Sequence, residues 1–158
     1  MKKKRKYLQT GMRLLALLYI CFISYFAFIS KLAGRTKGHV NQYNLKPFTT
    51  IQGYLVLDSF SQMLQFTINI LGNIIVFMPV GIFTLVFLNI RKKKNGFIVG
   101  AIVGLVFCMC VEVTQYILSV GIFDVDDLIL NTLGAIVGVF FYYKVLKIIE
   151  KRGGRYNV

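Results

Sequence analysis

Glu112 and Gln115 lie three residues apart in one long apolar stretch of the chain. Asn69 and Asn73 lie four apart in a second, and Asp127 and Asn131 four apart at the start of a third. Residues at these spacings share one face of a helix, so each stretch presents a polar pair on one side. A carboxylate near mid-bilayer costs about 2.5–3.5 kcal/mol on insertion scales, and less toward the interface. Glu112 must therefore be protonated, hydrated or partnered, and Asn73, Gln115 or Asn131 are the donors expected to reach it. Two readings follow. Interhelical hydrogen bonds would make the three pairs a polar clasp. A carboxylate desolvated by its surroundings also suits general acid or base work or ligand binding.

The loop Gly121-Ile122-Phe123-Asp124-Val125-Asp126-Asp127 holds three of the six acidic residues in the chain. Asp126 and Asp127 stand where a helix would begin, and a helix N-terminus favours negative charge and side-chain caps. Asp124, Asp126 and Asp127 also offer the oxygen ligands that Ca2+ and Mg2+ prefer. No cofactor is expected, and a divalent cation on these three carboxylates is the alternative left open. The sequence has no P-loop, no zinc-type histidine pair and no evident Ser–His dyad. Its only histidine, His39, lies in a polar loop and reads as solvated. No catalytic residue is assigned; Glu112 and Asp127 are the candidates. The pocket candidates are Asn69, Asn73, Glu112, Gln115, Asp124, Asp126, Asp127 and Asn131.

The elements that position these side chains follow from composition. The 158 residues are 56% hydrophobic and 16% charged, with a mean hydropathy of +0.66. A soluble domain is about 45–50% apolar and about 25% charged. A helix needs roughly 20 apolar residues to cross about 30 Å of hydrocarbon. Leu14–Ile29, Phe66–Ile90, Phe97–Leu118 and Leu128–Leu146 meet that length or approach it. Cys21, Cys108 and Cys110 fall inside these runs, where a thiol behaves as a small hydrophobe. The expected fold is an all-α integral membrane protein, a four-transmembrane-helix bundle.

Nineteen Lys and Arg against six Asp and Glu give a net charge of +13. Fifteen of the nineteen precede the first run, lie in the Arg91–Lys94 turn, or end and follow the fourth run. Only Lys31, Arg35, Lys37 and Lys46 fall on the other side. The positive-inside rule then places both termini in the cytoplasm, in contact with anionic lipid headgroups. Nucleic-acid binding is not expected, because no basic face is free of the membrane. The basic start and first run resemble a signal peptide, but no A-x-A-like site follows, so an uncleaved anchor in a bacterial plasma membrane is expected. In this orientation the three polar pairs sit at similar depth in the outer half. Glu112, six residues before Leu118, lies about 9 Å below the outer end by helical rise.

Residues 31–65 form the one sizeable outer segment. From Tyr54 onward Leu57, Phe60, Met63 and Leu64 recur at helical spacing opposite Asp58, Ser59, Ser61, Gln62 and Gln65. This reads as an outer interfacial amphipathic helix between spans one and two, or as the start of a long second span. Gly96, Gly100 and Gly104, and Gly134 and Gly138, repeat every four residues and suit close helix packing within one chain. Pro79 and Gly81 favour a bend in the second span.

Four blocks then resemble the VanZ-like membrane proteins. They are Asn44-Leu45-Lys46-Pro47-Phe48, Asn73-Ile-Ile-Val-Phe77-Met-Pro79-Val-Gly81, Glu112-Val-Thr-Gln115, and Gly121 through Gly134. With the spans between them they cover residues 14–147, flanked by a basic cytoplasmic N-terminus (1–13) and a basic cytoplasmic tail (148–158). That family is named for a protein conferring resistance to the glycopeptide antibiotic teicoplanin. The resemblance implies a cell-envelope protein with a role in glycopeptide or lipoglycopeptide resistance, and it brings no reaction with it. The resulting expectation is a non-enzymatic protein whose outward polar pocket takes a lipid-linked envelope precursor or a lipoglycopeptide. The alternative is a membrane enzyme using Glu112 and the Asp124–Asp127 cluster on a lipid-linked headgroup.

Overall fold

A computed structural model describes residues 2–29, 43–53, 60–90 and 92–151. Helix dominates. In chain order the elements are α1 (Lys2–Phe28), β1 (Tyr43–Asn44), α2 (Thr49–Gly53), α3 (Phe60–Leu88), α4 (Lys93–Ile117), β2 (Phe123–Asp124) and α5 (Val125–Lys151). Each long helix outruns the apolar stretch that foretold it. Lys, Arg, Gln and Met propagate a helix nearly as well as Leu, so hydropathy marks the membrane segment and not the helix end. Phe60–Leu88, Lys93–Ile117 and Val125–Ile148 are long and apolar enough to cross a membrane. The apolar part of α1, Thr10–Tyr25, is shorter.

The segment expected as an interfacial helix divides differently. Residues 60–65 are the first turns of α3, and 54–59 lie outside the described residues. His39 and the basic residues Lys31, Arg35 and Lys37 lie outside them as well. Among the described residues, the helical element before α3 is α2, which sequence periodicity did not indicate. α3 runs unbroken through Pro79.

Glycine governs the packing. A Cβ at Gly134 or Gly138 would collide with the backbone carbonyls of Ile74 and Met78, and one at Gly81 with the Ala135 carbonyl. α3 and α5 therefore touch backbone to backbone, as small residues permit in membrane bundles. α4 instead sets Gly96, Gly100 and Gly104 against the side chains of Tyr143, Val139 and Ala135 of α5. These contacts bear out glycine packing within one chain. Ile23, Phe77, Val80, Cys108, Leu128 and Ala135 form one core cluster, and Leu85, Val139 and Tyr143 a second. α1 is the most loosely packed long helix, with Leu14, Leu15, Leu17 and Leu18 all exposed.

Both ends of the three-helix unit are closed by specific bonds. Asn89 and Ser119 adopt φ of 52° and 53°. Just beyond them the N–H of Ile90 reaches the Leu85 carbonyl and that of Val120 the Gln115 carbonyl. This left-handed C-terminal cap satisfies carbonyls that the helix itself cannot. At the basic end the Tyr143 hydroxyl lies 3.1 Å from the Lys92 carbonyl and 3.4 Å from that of Ile90. The α3–α4 turn is thereby fastened to α5. At the opposite end β1 and β2 pair in parallel, Tyr43 with Phe123 and Asn44 with Asp124. That two-residue ladder gathers the polar side chains.

Candidate functional site

The ladder brings the Asn44–Phe48 block against the acidic loop. Asn44 Nδ2 lies 3.4 Å from each carboxylate oxygen of Asp124, while its own Oδ1 accepts the Lys46 N–H. Asp124 in turn accepts the Asp126 N–H at 2.8 Å. Since α5 begins at Val125, Asp124 is its N-cap residue, bonding the second N–H of the helix. The sequence had assigned capping to Asp126 and Asp127; the helix starts three residues before the apolar run, which moves the cap back to Asp124.

Asp126 is thereby released for another task. Only 1% exposed, it accepts the N–H of Phe48 at 2.5 Å and of Ile51 at 3.1 Å. These are the backbone donors at the start of α2, so a carboxylate from α5 caps a helix more than 70 residues earlier in the chain. Phe48 sits at φ 65°, a region that bulky residues rarely enter. Tyr43, Leu45 and Phe48 are held with more than half of their surface exposed.

Glu112 and Gln115 are buried on α4, and Asn131 on α5. Glu112 Oε2 accepts the backbone N–H of Asp124 at 3.4 Å. The three amides expected to serve Glu112 make other bonds. Asn73 Nδ2 donates to Asp127 Oδ1 at 2.7 Å, Gln115 Nε2 to the Ala27 carbonyl at 2.8 Å, and Asn131 Nδ2 to Cys108 Sγ at 3.0 Å. Asn69, one turn from Asn73, is exposed on α3.

Sequence reasoning missed Cys108. It is fully buried, lies one turn before Glu112 on the same face, and its thiol points to the Asp127 carbonyl at 3.8 Å. That i, i+4 relation to Glu112 was the available signal. The role of Ala27 carried no signal at all, because a backbone carbonyl is indifferent to its side chain.

The arrangement is a tie. It joins α1, α3, α4, α5 and the β1–α2 segment through hydrogen bonds that occupy Asp124, Asp126, Asp127, Asn73 and Gln115. Among the described residues no group of three His, Cys, Asp or Glu side chains is placed to hold a metal ion. Two open cavities lie along α1, and their walls include none of the pocket candidates.

A family model described as VanZ/LLP1 matches residues 12–148. Protein VanZ of Enterococcus faecium is 28% identical over 137 residues, which cover 87% of this chain and 74% of that protein. No solved structure matches.

Proposed function

This chain belongs to the VanZ/LLP1 family, and we propose from that membership that it is a multi-pass plasma-membrane protein of the bacterial cell envelope. In this reading it lowers susceptibility to teicoplanin-type lipoglycopeptides without catalysing a reaction. α1 serves as a fourth span beside α3, α4 and α5, both termini are cytoplasmic, and the β1–β2 end faces outward. Lysines at the basic end meet anionic headgroups.

One observation carries the reading: the two hydrogen bonds that the Asp126 carboxylate accepts from the N–H groups of Phe48 and Ile51. They fix the β1–α2 segment on the β1–β2 end of the bundle, so that Tyr43, Leu45 and Phe48 stand exposed beside Lys46. Aromatic and apolar side chains at a membrane boundary suit an amphiphilic partner, whether a lipid-linked envelope precursor or a lipid-tailed antibiotic. The partner meets this surface and not an interior polar pocket, because Asn73, Asp124, Asp126 and Asp127 are engaged in hydrogen bonds that hold the loop and the helices together. Nothing in the site favours the enzyme reading. Glu112 is buried, and the acidic loop residues are engaged in caps and ties.

Expression in a susceptible Gram-positive host tests this directly. Teicoplanin susceptibility should fall more than vancomycin susceptibility, because a lipid tail brings teicoplanin to the membrane surface. Equal change for both drugs, or none with the protein present in the membrane, would reject the proposal.

A further inference from the structure

The glycine seam between α4 and α5 has a fixed register. Gly96 meets the Tyr143 side chain, Gly100 that of Val139 and Gly104 that of Ala135. Each step of four residues along α4 thus answers a step of four back along α5. One further step toward the basic end sets Lys92 opposite Lys147. The Tyr143 hydroxyl, 3.1 Å from the Lys92 carbonyl, holds the backbone there. Lys93 stands three residues before Gly96 and so shares the face of α4 that meets α5. Lys92, Lys93 and Lys147 are all exposed.

The sequence around the seam end offers these charges little acid. Residues 59–111 and 128–149 contain no Asp or Glu, and Glu150, the next acid, is followed by Lys151, Arg152 and Arg155. The ammonium of Lys144 is drawn one turn back along α5, 5.2 Å from the centre of the Phe140 ring. Like charges set face to face repel. The positive-inside rule accounts for lysines at this end of the bundle, but not for two of them opposed across a packed seam. An anion between them turns that repulsion into attraction. The surroundings point to a lipid as its carrier. α4 and α5 are of membrane length, and Ile98 on α4 and Val145 and Ile148 on α5 expose about half of their surface at this end.

We propose that the basic end of the α4–α5 seam binds a lipid whose headgroup ends in a phosphomonoester, the phosphate seated between Lys92, Lys93 and Lys147. A terminal phosphomonoester carries about 1.5–2 negative charges near pH 7 and three acceptor oxygens, enough to face lysines on both helices at once. A phosphodiester headgroup carries a single charge and leaves one lysine of the opposed pair uncompensated. The site therefore selects among anionic lipids, beyond the general attraction of a basic surface for all of them. The inference rests on the reading of α4 and α5 as membrane spans, and not on drug resistance.

The test reconstitutes the full chain into phosphatidylcholine vesicles that hold equal small fractions of phosphatidate, a phosphomonoester, and phosphatidylglycerol, a phosphodiester, with the same acyl chains. The protein is then released in mild detergent, and the lipids kept by each molecule are counted by native mass spectrometry. Phosphatidate should be retained about fivefold over phosphatidylglycerol, as one further charge met by a lysine near the surface implies. Lys92→Gln and Lys147→Gln should each abolish that preference. Lys144→Gln removes the same charge from outside the seam and should preserve it. Equal retention of both lipids by the wild type would overturn the site. Equal loss in Lys144→Gln and Lys147→Gln would overturn it too, since diffuse charge would then suffice. Displacement of phosphatidate by inorganic phosphate at matched concentration would overturn the lipid as the ligand. Protein that fails to enter the vesicles would overturn the membrane reading, and this inference with it, before any lipid is compared.

Discussion

The carboxylate of Asp126 receives the backbone N–H of Phe48 across 78 residues of chain and holds that phenylalanine at φ 65°. Two donors depend on this one buried acid. Asp126→Ala leaves the N–H groups of Phe48 and Ile51 without their acceptor. Bonds to a charged acceptor contribute about 1.5–3 kcal/mol each, so a loss of roughly 3 kcal/mol is expected. Asp126→Asn keeps one carbonyl oxygen and should lose about half as much. Thermal melting in detergent measures both, and limited proteolysis should cut near residues 43–53 faster in Asp126→Ala. Equal melting of wild type and Asp126→Ala would mean that the β1–α2 segment does not depend on the tie.

Phe48 itself pays a conformational cost that glycine would not. A non-glycine residue in the left-handed region is disfavoured by about 1–2 kcal/mol, while the exposed ring recovers little inside the protein. Phe48→Gly should therefore melt no lower than wild type. If the exposed aromatic meets the amphiphilic partner, teicoplanin resistance should nevertheless fall. Unchanged resistance in Phe48→Gly would remove that ring from the contact surface.

Glycine substitutions should divide by what their Cβ would meet. Gly138→Ala drives a methyl group into the Met78 carbonyl, and Gly134→Ala into that of Ile74. Overpacking of this kind costs typically about 1–3 kcal/mol, which outweighs the roughly 1 kcal/mol that alanine gains in helix propensity. Gly72 has nothing within 4 Å of its would-be Cβ, so Gly72→Ala should be neutral or stabilising. Melting temperatures in the reverse order would show that α3 and α5 are not in backbone contact.

The same glycines show what was legible in the chain. Their four-residue spacing sufficed to foresee close helix packing, because helical periodicity alone puts them on one face. Glu112, Gln115 and Asn131 were likewise recognisable as buried polar groups inside apolar runs. Their partners were not. Gln115 bonds the backbone of Ala27, and Glu112 and Asp126 bond backbone N–H groups, and no side-chain type advertises such a partner. The shift of the α5 start from Leu128 to Val125 had a further consequence: it passed the capping role to Asp124 and left Asp126 to accept from Phe48 and Ile51. Hydropathy located the membrane segment of α5 well enough but carried no information on its first turn.

Topology is open to cysteine labelling. The native Cys21 and Cys110 are exposed on helix faces and Cys108 is buried, so the background should carry Cys21→Ala and Cys110→Ala. The fifteen-to-four split of basic residues leads to a definite expectation under the positive-inside rule. Lys46→Cys should react with an impermeant thiol reagent in intact cells, and Lys93→Cys only after permeabilisation. The reverse result would put the Asp126 tie and the exposed Phe48 in the cytoplasm, out of reach of an envelope ligand.

Glu112 separates a tie from a reacting group. The backbone N–H of Asp124 lies 3.4 Å from its Oε2, and the residue is 2% exposed. An amide of the same size still offers an oxygen to that donor. Removing a buried charge is often neutral or stabilising, because desolvation can exceed what the charge gains from its neighbours. Glu112→Gln should therefore keep its membrane abundance, melt at or above the wild-type temperature and confer wild-type teicoplanin resistance. Glu112→Ala should melt lower, since it opens a cavity beside Cys108 and strips the loop N–H of its acceptor. Should Glu112→Gln lose resistance while its abundance and melting temperature stay unchanged, the carboxylate would be acting on a proton or a cation. The non-catalytic reading would then fall.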